Sequence, residues 1–292
     1  MKKIEIKANA KINLFLDISA LRKDGYHDIL SIMQSVSLCD TVNIEYEESS
    51  EKKIEVKCDA QSLPADSRNL AYKAADRLLD SGTVKIEIKK NIFLSAGLAG
   101  GSADAAAVLV GLARLSKPDI NTERLFKIGA EIGADVPFCM VGGTKLVTGI
   151  GDIHRDFSEM PDTHLVIACM GEGFPTPEAY KRLDRVYNNF ENYKPEARTI
   201  DYIKDCFSRK LLPDRSFNIF ESAVLPMRPH AEKIKKVMCE CGARLALMSG
   251  SGPSVFGIFG DYESALEAVK ELTQTGASAK LCEPRKSGLE IL

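Results

Sequence analysis

Three glycines, Gly97, Gly100 and Gly101, stand directly before an alanine-rich stretch containing Ala103, Ala105, Ala106 and Ala107. No other segment limits the fold as tightly. Glycine reaches positive φ and lets a ligand come close to the backbone. The alanine run predicts a helix over about residues 103–115. A helix start presents unpaired N–H groups and the positive end of its dipole. A glycine loop feeding such a start is an anion site, and a triphosphate is its natural guest. Ser102 adds a hydroxyl there, and the small residues after it let the helix pack close to a sheet. Two better-known phosphate loops do not fit. A P-loop closes its glycine run on Gly-Lys-Ser/Thr, and no Lys stands here. A Rossmann loop needs G-x-G-x-x-G inside a βαβ unit with an acidic residue about 20 positions on, and the spacing differs.

Around this loop the apolar period changes repeatedly. Ile4 and Ile6, then Ile12, Leu14, Leu16 and Ile18, alternate with other residues and predict strand with one buried face. Val42-Ile44-Tyr46, Ile54-Val56-Cys58 and Val84-Ile86-Ile88 predict further strands. Between them Leu70, Ala71, Ala74, Ala75, Leu78 and Leu79 share one helical face, with Asp66 and Ser67 as candidate caps. Another helix opens near Thr122 and carries Leu125, Ile128 and Ile132. This order has no regular βα alternation and predicts the α+β class. In the second half, residues 165–168 predict a strand, 177–186 a helix with Pro in its first turn, and 229–241 an amphipathic helix. Strands at 245–248 and 255–259 flank Ser249-Gly250-Ser251-Gly252-Pro253; a helix at 262–273 and a strand at 279–281 close the chain. That rhythm resembles a ferredoxin-like split βαβ unit. The proline-interrupted polar stretch 157–161 divides an N-terminal domain, 1–157, from a C-terminal one, 158–292.

Charge and cysteine usage exclude several function classes. Lys and Arg number 39 against 41 Asp and Glu, a formal charge of −2, so no basic excess draws the chain to nucleic acid or an anionic membrane. No apolar run approaches the roughly 20 residues a bilayer requires. Met1-Lys2-Lys3-Ile4-Glu5 carries no signal-peptide core, which points to the cytoplasm. Of eight scattered cysteines only Cys239 and Cys241 lie close together, and a lone C-x-C pair reads as free thiols of a reducing cytosol.

The glycine loop resembles the phosphate-binding motif of the GHMP kinases (galactose, homoserine, mevalonate and phosphomevalonate kinases). Other segments narrow the likeness. Ala10-Lys11-Ile12-Asn13-Leu14-Phe15-Leu16, Lys23-Asp24-Gly25-Tyr26-His27, Gly133-Ala134-Asp135-Val136-Pro137-Phe138 and Ser249-Gly250-Ser251-Gly252-Pro253-Ser254-Val255-Phe256 resemble, in the expected order, the 4-diphosphocytidyl-2-C-methyl-D-erythritol kinase family of the non-mevalonate isoprenoid pathway. The likeness runs over nearly the whole chain and is weakest between about residues 187 and 217. It implies the two-domain GHMP kinase fold: an N-terminal mixed sheet with helices, a ferredoxin-like C-terminal domain, and the active site in the cleft between them. It implies ATP as donor and a tertiary hydroxyl of the erythritol moiety as acceptor, giving the 2-phosphate of a cytidine-diphospho substrate. The partners are then small molecules, in a monomer or weak homodimer. Two other readings stay open: a mevalonate- or homoserine-type kinase, and a non-catalytic nucleotide-binding module on the same fold.

The resemblance also assigns roles. Asp135, which on its own reads as a turn aspartate, corresponds to the catalytic aspartate and would accept or orient the proton of the attacking hydroxyl. Lys11 corresponds to the active-site lysine and would offset charge at the transferring group. Asn13, two residues on, faces the same side of a strand and forms a polar wall. Ala96, Gly97, Leu98, Ala99, Gly100, Gly101, Ser102 and Ala103 would cradle the ATP phosphates, with Asn69 and Leu70 near the adenine. Tyr26 and His27 are placed at the cytosine, with Tyr180 stacking opposite Tyr26 and Thr176 near the diphosphate. Gly250, Ser251 and Gly252 would face the substrate or phosphates. No acidic cluster forms a dedicated metal cage, so Mg²⁺ would be held mostly by ATP oxygens and water, with Ser102 as the side-chain contact. Three departures from the family pattern stand out: Phe93 in place of Pro, Ala103 in place of Ser or Thr, and Pro253 at a position usually small. The first two would weaken ATP binding; none removes a residue assigned to chemistry.

Overall fold

A computed structural model of the chain describes residues 1–171, 173 and 175–292. The alternating N-terminal stretch forms two long antiparallel strands, β1 (Lys2–Leu21) and β2 (His27–Glu47). Ile12 and Leu14 are buried, but so are Lys11, Asn13 and Asp17, each 5% exposed or less. One buried face was expected, and that is corrected: the second half of the chain lies over the polar residues of β1 and covers them too. Strand β2 also starts earlier than its apolar pattern marks, at His27.

Strand β3 (Lys52–Cys58), helix α1 (Leu70–Leu78) and β4 (Gly82–Lys89) make a parallel crossover, and β4 pairs antiparallel with β2. Asn69 caps α1 by accepting the Ala71 N–H, in place of the expected Asp66 or Ser67. Asp66 instead accepts the Arg68 N–H in the preceding turn. Helix α2 (Gly100–Ser116) begins before the expected start near Ala103, because Ala99 turns the chain into it with a left-handed φ of 58°. Ala103, Ala105, Ala106 and Ala107 are fully buried, so α2 lies close against β1 and β2. Helix α3 (Thr122–Ile132) follows. The segment after Asp135, expected as a turn, is a short helix, α4 (Val136–Val141), with Pro137 in its first turn where a missing N–H is harmless. The hairpin of β5 (Thr144–Thr148) and β6 (Ile153–Asp156) pairs onto β2.

After residues 157–163 the chain enters a second sheet. Its elements are β7 (His164–Cys169), α5 (Thr176–Val186), α6 (Ala197–Ser208), α7 (Phe220–Val224), α8 (Pro229–Glu240), β8 (Leu245–Met248), β9 (Val255–Phe259), α9 (Tyr262–Gln274) and β10 (Ser278–Cys282). The sheet is antiparallel in the order β10-β7-β9-β8, the ferredoxin-like arrangement. One face packs on α8 and α9 through Val166, Ala168, Ile234, Met238, Phe259 and Leu272. The other face contributes Leu165, Ile167, Leu247 and Phe256 to the core of the first sheet. The chain does not end there. Strands β11 (Pro284–Arg285) and β12 (Leu289–Ile291) return to the first sheet and pair with β2 and β1. The expected split at 157/158 therefore fails for the tail, which belongs with the N-terminal sheet. The outgoing and returning crossings run together: Lys286 pairs with Glu159 at 2.7 Å, and Phe157, Met160, Pro284 and Arg285 line one cavity of about 370 Å³. No helix among the described residues is long and apolar enough to cross a membrane.

Candidate active site

The covered polar residues of β1 face a junction of four segments. Lys11 Nζ donates to Asn13 Oδ1 at 2.7 Å and lies 4.0 Å from Asp135 Oδ2. Asn13 is held in turn: its Nδ2 donates to Ser31 Oγ at 2.9 Å, and Ser31 donates to the Phe15 carbonyl at 2.6 Å. A buried ammonium with a fixed acceptor keeps one direction, here toward Asp135. Asp135 stands at the N-cap of α4 but makes no cap hydrogen bond, and its side chain is 32% exposed. It is the partly accessible member of the pair.

The glycine loop closes on the same spot. The Lys11 N–H donates to the Leu98 carbonyl at 3.1 Å, hooking the loop to β1. The first helical hydrogen bond of α2 is Ala103 N–H to Ala99 O, so the N–H groups of Gly100, Gly101 and Ser102 have no partner among the described residues. Three free amides at a helix start, with Gly101 exposed, make an anion cradle. Ser102 Oγ lies beside Gly133, two residues before Asp135; a Cβ built on that glycine would sit 3.8 Å from it. Leu70 forms the adjacent wall, 3.6 Å from a Cβ built on Gly101. The Asn69 side chain caps α1 through Oδ1 and donates one Nδ2 hydrogen to the Pro64 carbonyl, which leaves its second N–H available.

The turn 249–253 packs backbone to backbone on the glycine loop. A Cβ on Gly97, whose φ is +77°, would fall 2.2 Å from the Ser249 carbonyl oxygen. Ser249 Oγ donates to the Gly97 carbonyl at 3.1 Å, and Gly250 lies against Lys11, with Nζ 3.5 Å from a Cβ built on it. Asn218, 1% exposed, donates to the carbonyls of Met248 and Gly250 at 2.7 and 2.9 Å and sets the shape of this turn. The motifs gave no sign of Asn218, because its role exists only once the distant turn has folded against it. Ser251 Oγ lies 3.1 Å from Thr176 Oγ1 and links the turn to α5.

Tyr180 stacks on His27, with centroids 4.6 Å apart and planes at 25°, and meets Phe220 edge-on at 5.0 Å. Burial pushes its phenol up to about 12. Tyr26 stands 61% exposed at the rim. His27 Nε2 lies 2.7 Å from Asp184 Oδ1, a partner four residues beyond Tyr180 on α5.

Behind the cradle lies a buried ion cluster that the motifs also left unmarked. Lys90 bridges Asp40 and Asp104 (2.7 Å to the latter), with all three side chains 6% exposed or less. Its Nζ is 3.4 Å from a Cβ built on Gly100, directly under the first turn of α2. Asp40 also accepts the Asn91 and Ile92 N–H groups. Asp104 Oδ1 has no partner among the described residues, and burial pushes this carboxyl up to about 7 despite Lys90. A raised acid pKa means the folded state holds the proton more tightly. Its contribution to stability is complete below the usual value of 3.8 and is lost as pH rises past about 7. Asp104→Asn is therefore expected to flatten the decline in Tm between about pH 4 and about pH 8. Equal slopes in variant and parent, measured by thermal unfolding, would contradict this.

Among the described residues no group of three or more His, Cys, Asp and Glu is placed to hold a metal. Cys239 and Cys241 are free thiols.

The chain is similar to known proteins over nearly its whole length. The family model described as the GHMP kinases N terminal domain matches residues 69–143, and that of the GHMP kinases C terminal matches 205–278. A 4-diphosphocytidyl-2-C-methyl-D-erythritol kinase of Lachnospira eligens is 39% identical over 289 residues, covering 96% of this chain and 97% of the relative. One of Clostridium kluyveri is 42% identical over 266 residues, covering 89% and 92%. The crystal structure of a 4-(cytidine 5'-diphospho)-2C-methyl-D-erythritol kinase superposes with a TM-score of 0.80 at 29% identity, covering 96% of this chain and 98% of the other. A homoserine kinase from Cytophaga hutchinsonii shares the fold, with a TM-score of 0.73 at 18% identity over 100% of this chain and 98% of that one.

Proposed function

Because the chain belongs to the GHMP kinases, and within them to the 4-diphosphocytidyl-2-C-methyl-D-erythritol kinase family, we propose that Lys11 and Asp135 carry its chemistry, with the amides of Gly100, Gly101 and Ser102 as the phosphate cradle. The enzyme is an ATP-dependent phosphotransferase. It phosphorylates the 2-hydroxyl of 4-diphosphocytidyl-2-C-methyl-D-erythritol, yielding the 2-phosphate and ADP, in the non-mevalonate route to isoprenoid precursors.

One observation carries the assignment of roles: Lys11 and Asp135, 124 positions apart in the chain, meet at 4.0 Å beside unpaired helix-start amides. Phosphoryl transfer demands little covalent work from a protein. It demands alignment and compensation of charge. Backbone amides fix the donor phosphates without a lysine in the loop. Lys11, held by Asn13, offsets charge on the transferring group. Asp135 accepts or orients the hydroxyl proton on the open side of the pair. Ser102 Oγ stands at the start of α2 beside Gly133, with no acidic cage among the described residues, and a hydroxyl contact of this kind suits Mg²⁺, which keeps most of its water and phosphate ligands. When bound, the ion would neutralise phosphate charge. Tyr26, His27, Tyr180 and Thr176 form the base and diphosphate side of the cleft, and Gly250 to Gly252 its floor. A reducing, cytoplasmic setting agrees with eight free cysteines. A monomer or weak homodimer completes the reading.

The test pairs ATP–Mg²⁺ with the cytidine-diphospho substrate, mevalonate and homoserine in parallel assays. Turnover is expected with the first alone. Tyr26→Ala should raise KM for that substrate by about 10- to 100-fold, as loss of one aromatic wall predicts, with little change in KM for ATP. Equal effects on both would refute the placement of Tyr26 at the base.

A further inference from the structure

Helix α5 carries Thr176, Tyr180 and Asp184 four residues apart and hence on one face. Thr176 meets Ser251 and Tyr180 stacks on His27. Asp184 has no place in the chemistry described above, yet it reaches His27 Nε2 at 2.7 Å. His27 heads β2 and is 8% exposed. Phe190 meets it edge-on, with centroids 5.5 Å apart and planes at 74°. Phe190 holds a left-handed φ of 63°, and Asn188, Asn189 and Asn192 around it are left-handed too, at 47°, 53° and 62°. A bulky residue in that region is rare, and strain kept beside a cleft marks a constraint worth its cost. The imidazole is thus fixed on its face, its edge and one nitrogen. Nδ1 has no hydrogen-bond partner among the described residues.

We propose that Asp184 is a positioning residue that fixes the tautomer of His27, with the proton on Nε2 and Nδ1 left as an acceptor, so that the base subsite takes cytosine and rejects uracil. The proposal rests on the reading of this pocket as the nucleobase side of the cleft. A carboxylate only accepts, so a neutral imidazole facing it places its proton on Nε2. The free Nδ1 lone pair then matches the 4-amino donor of cytosine. Uracil presents a carbonyl oxygen at the same place, and two acceptors face each other. A doubly protonated ring, or one with its proton on Nδ1, would instead favour uracil.

Two readouts test it. The ¹⁵N shifts of the His27 ring in the ligand-free enzyme report the tautomer whether or not a base binds there. A protonated Nε2 with a bare Nδ1 is expected in the parent, and a mixture in Asp184→Asn, whose amide donates as well as accepts. Kinetics with the natural substrate and its uridine analogue report discrimination. The ratio of their kcat/KM values should fall about 10-fold or more in Asp184→Asn, with KM for ATP unchanged. A proton on Nδ1 in the parent overturns the proposal. So does undiminished discrimination in a folded Asp184→Asn, even with the stated tautomer. In that case Tyr26→Ala separates the causes: a selective rise in substrate KM keeps the base site and discards only the role of Asp184. Asp184→Leu, which can neither donate nor accept, should lose the tautomer bias as well; retention of the bias there would also count against Asp184.

Discussion

Asp135→Asn is expected to lower kcat by about 10²- to 10⁴-fold while leaving ATP affinity within about threefold. The split follows from geometry. In the proposed reading the donor phosphates rest on backbone amides of α2, which the substitution does not touch. Lys11 keeps its bond to Asn13, so the ammonium does not collapse into the site. What disappears is a carboxylate on the open side of the pair. Turnover by rapid quench and ATP binding by calorimetry would measure the two quantities separately. Retained turnover would move the proton-accepting role elsewhere. Lost ATP binding would mean that Asp135 supports the cradle and not the reaction. A protein that bound nucleotide without catalysis would have no turnover to lose.

A comparable loss is expected from one methyl group. Gly97→Ala places a Cβ 2.2 Å from the Ser249 carbonyl oxygen at a φ of +77°. Neither feature relaxes cheaply. The obstructing atom is backbone, held from behind by Asn218, and the dihedral disfavours any side chain. Left-handed strain costs about 1–2 kcal/mol and overpacking about 1–3 kcal/mol, so destabilisation of about 2–5 kcal/mol is expected. Activity should fall further than stability, because the two loops that flank Lys11 can separate only by moving the cradle. Displacement of about 1 Å is enough for a 100-fold effect. Thermal unfolding with kcat/KM tests this; a variant matching the parent in both would show that the close approach of the loops is dispensable.

The legible parts of this protein were those encoded by neighbours in sequence. The alternation of Ile12, Leu14, Leu16 and Ile18 marks β1, and the glycine loop with Ala103 to Ala107 marks α2. Lys11 and Asn13 sit two apart, so their shared face was readable, and their hydrogen bond realises it. What was hidden depends on contacts across the chain. Asp17 looks like a surface residue of an alternating strand; Tyr193 and the Glu196 N–H bury it. Asn218 and Lys90 follow the same rule. Asp-Val-Pro was expected as a turn, although proline is equally at home opening a helix, and local sequence could not choose. The stacking of Tyr180 on His27 also depends on α5 docking. Asp184 was within reach: a second polar residue four positions after Tyr180 lies on the same helical face.

The paired crossings between the two sheets have a mechanical consequence. The chain leaves the first sheet through residues 157–163 and comes back beside them at Pro284, with Ser37 and Glu283 bonded in both directions at 2.9 Å. Two adjacent straps, together with the contact of Ser249 on Gly97, hold the two lobes in one register. The stack of His27 from the first lobe on Tyr180 from the second is thereby kept at a set place relative to the start of α2.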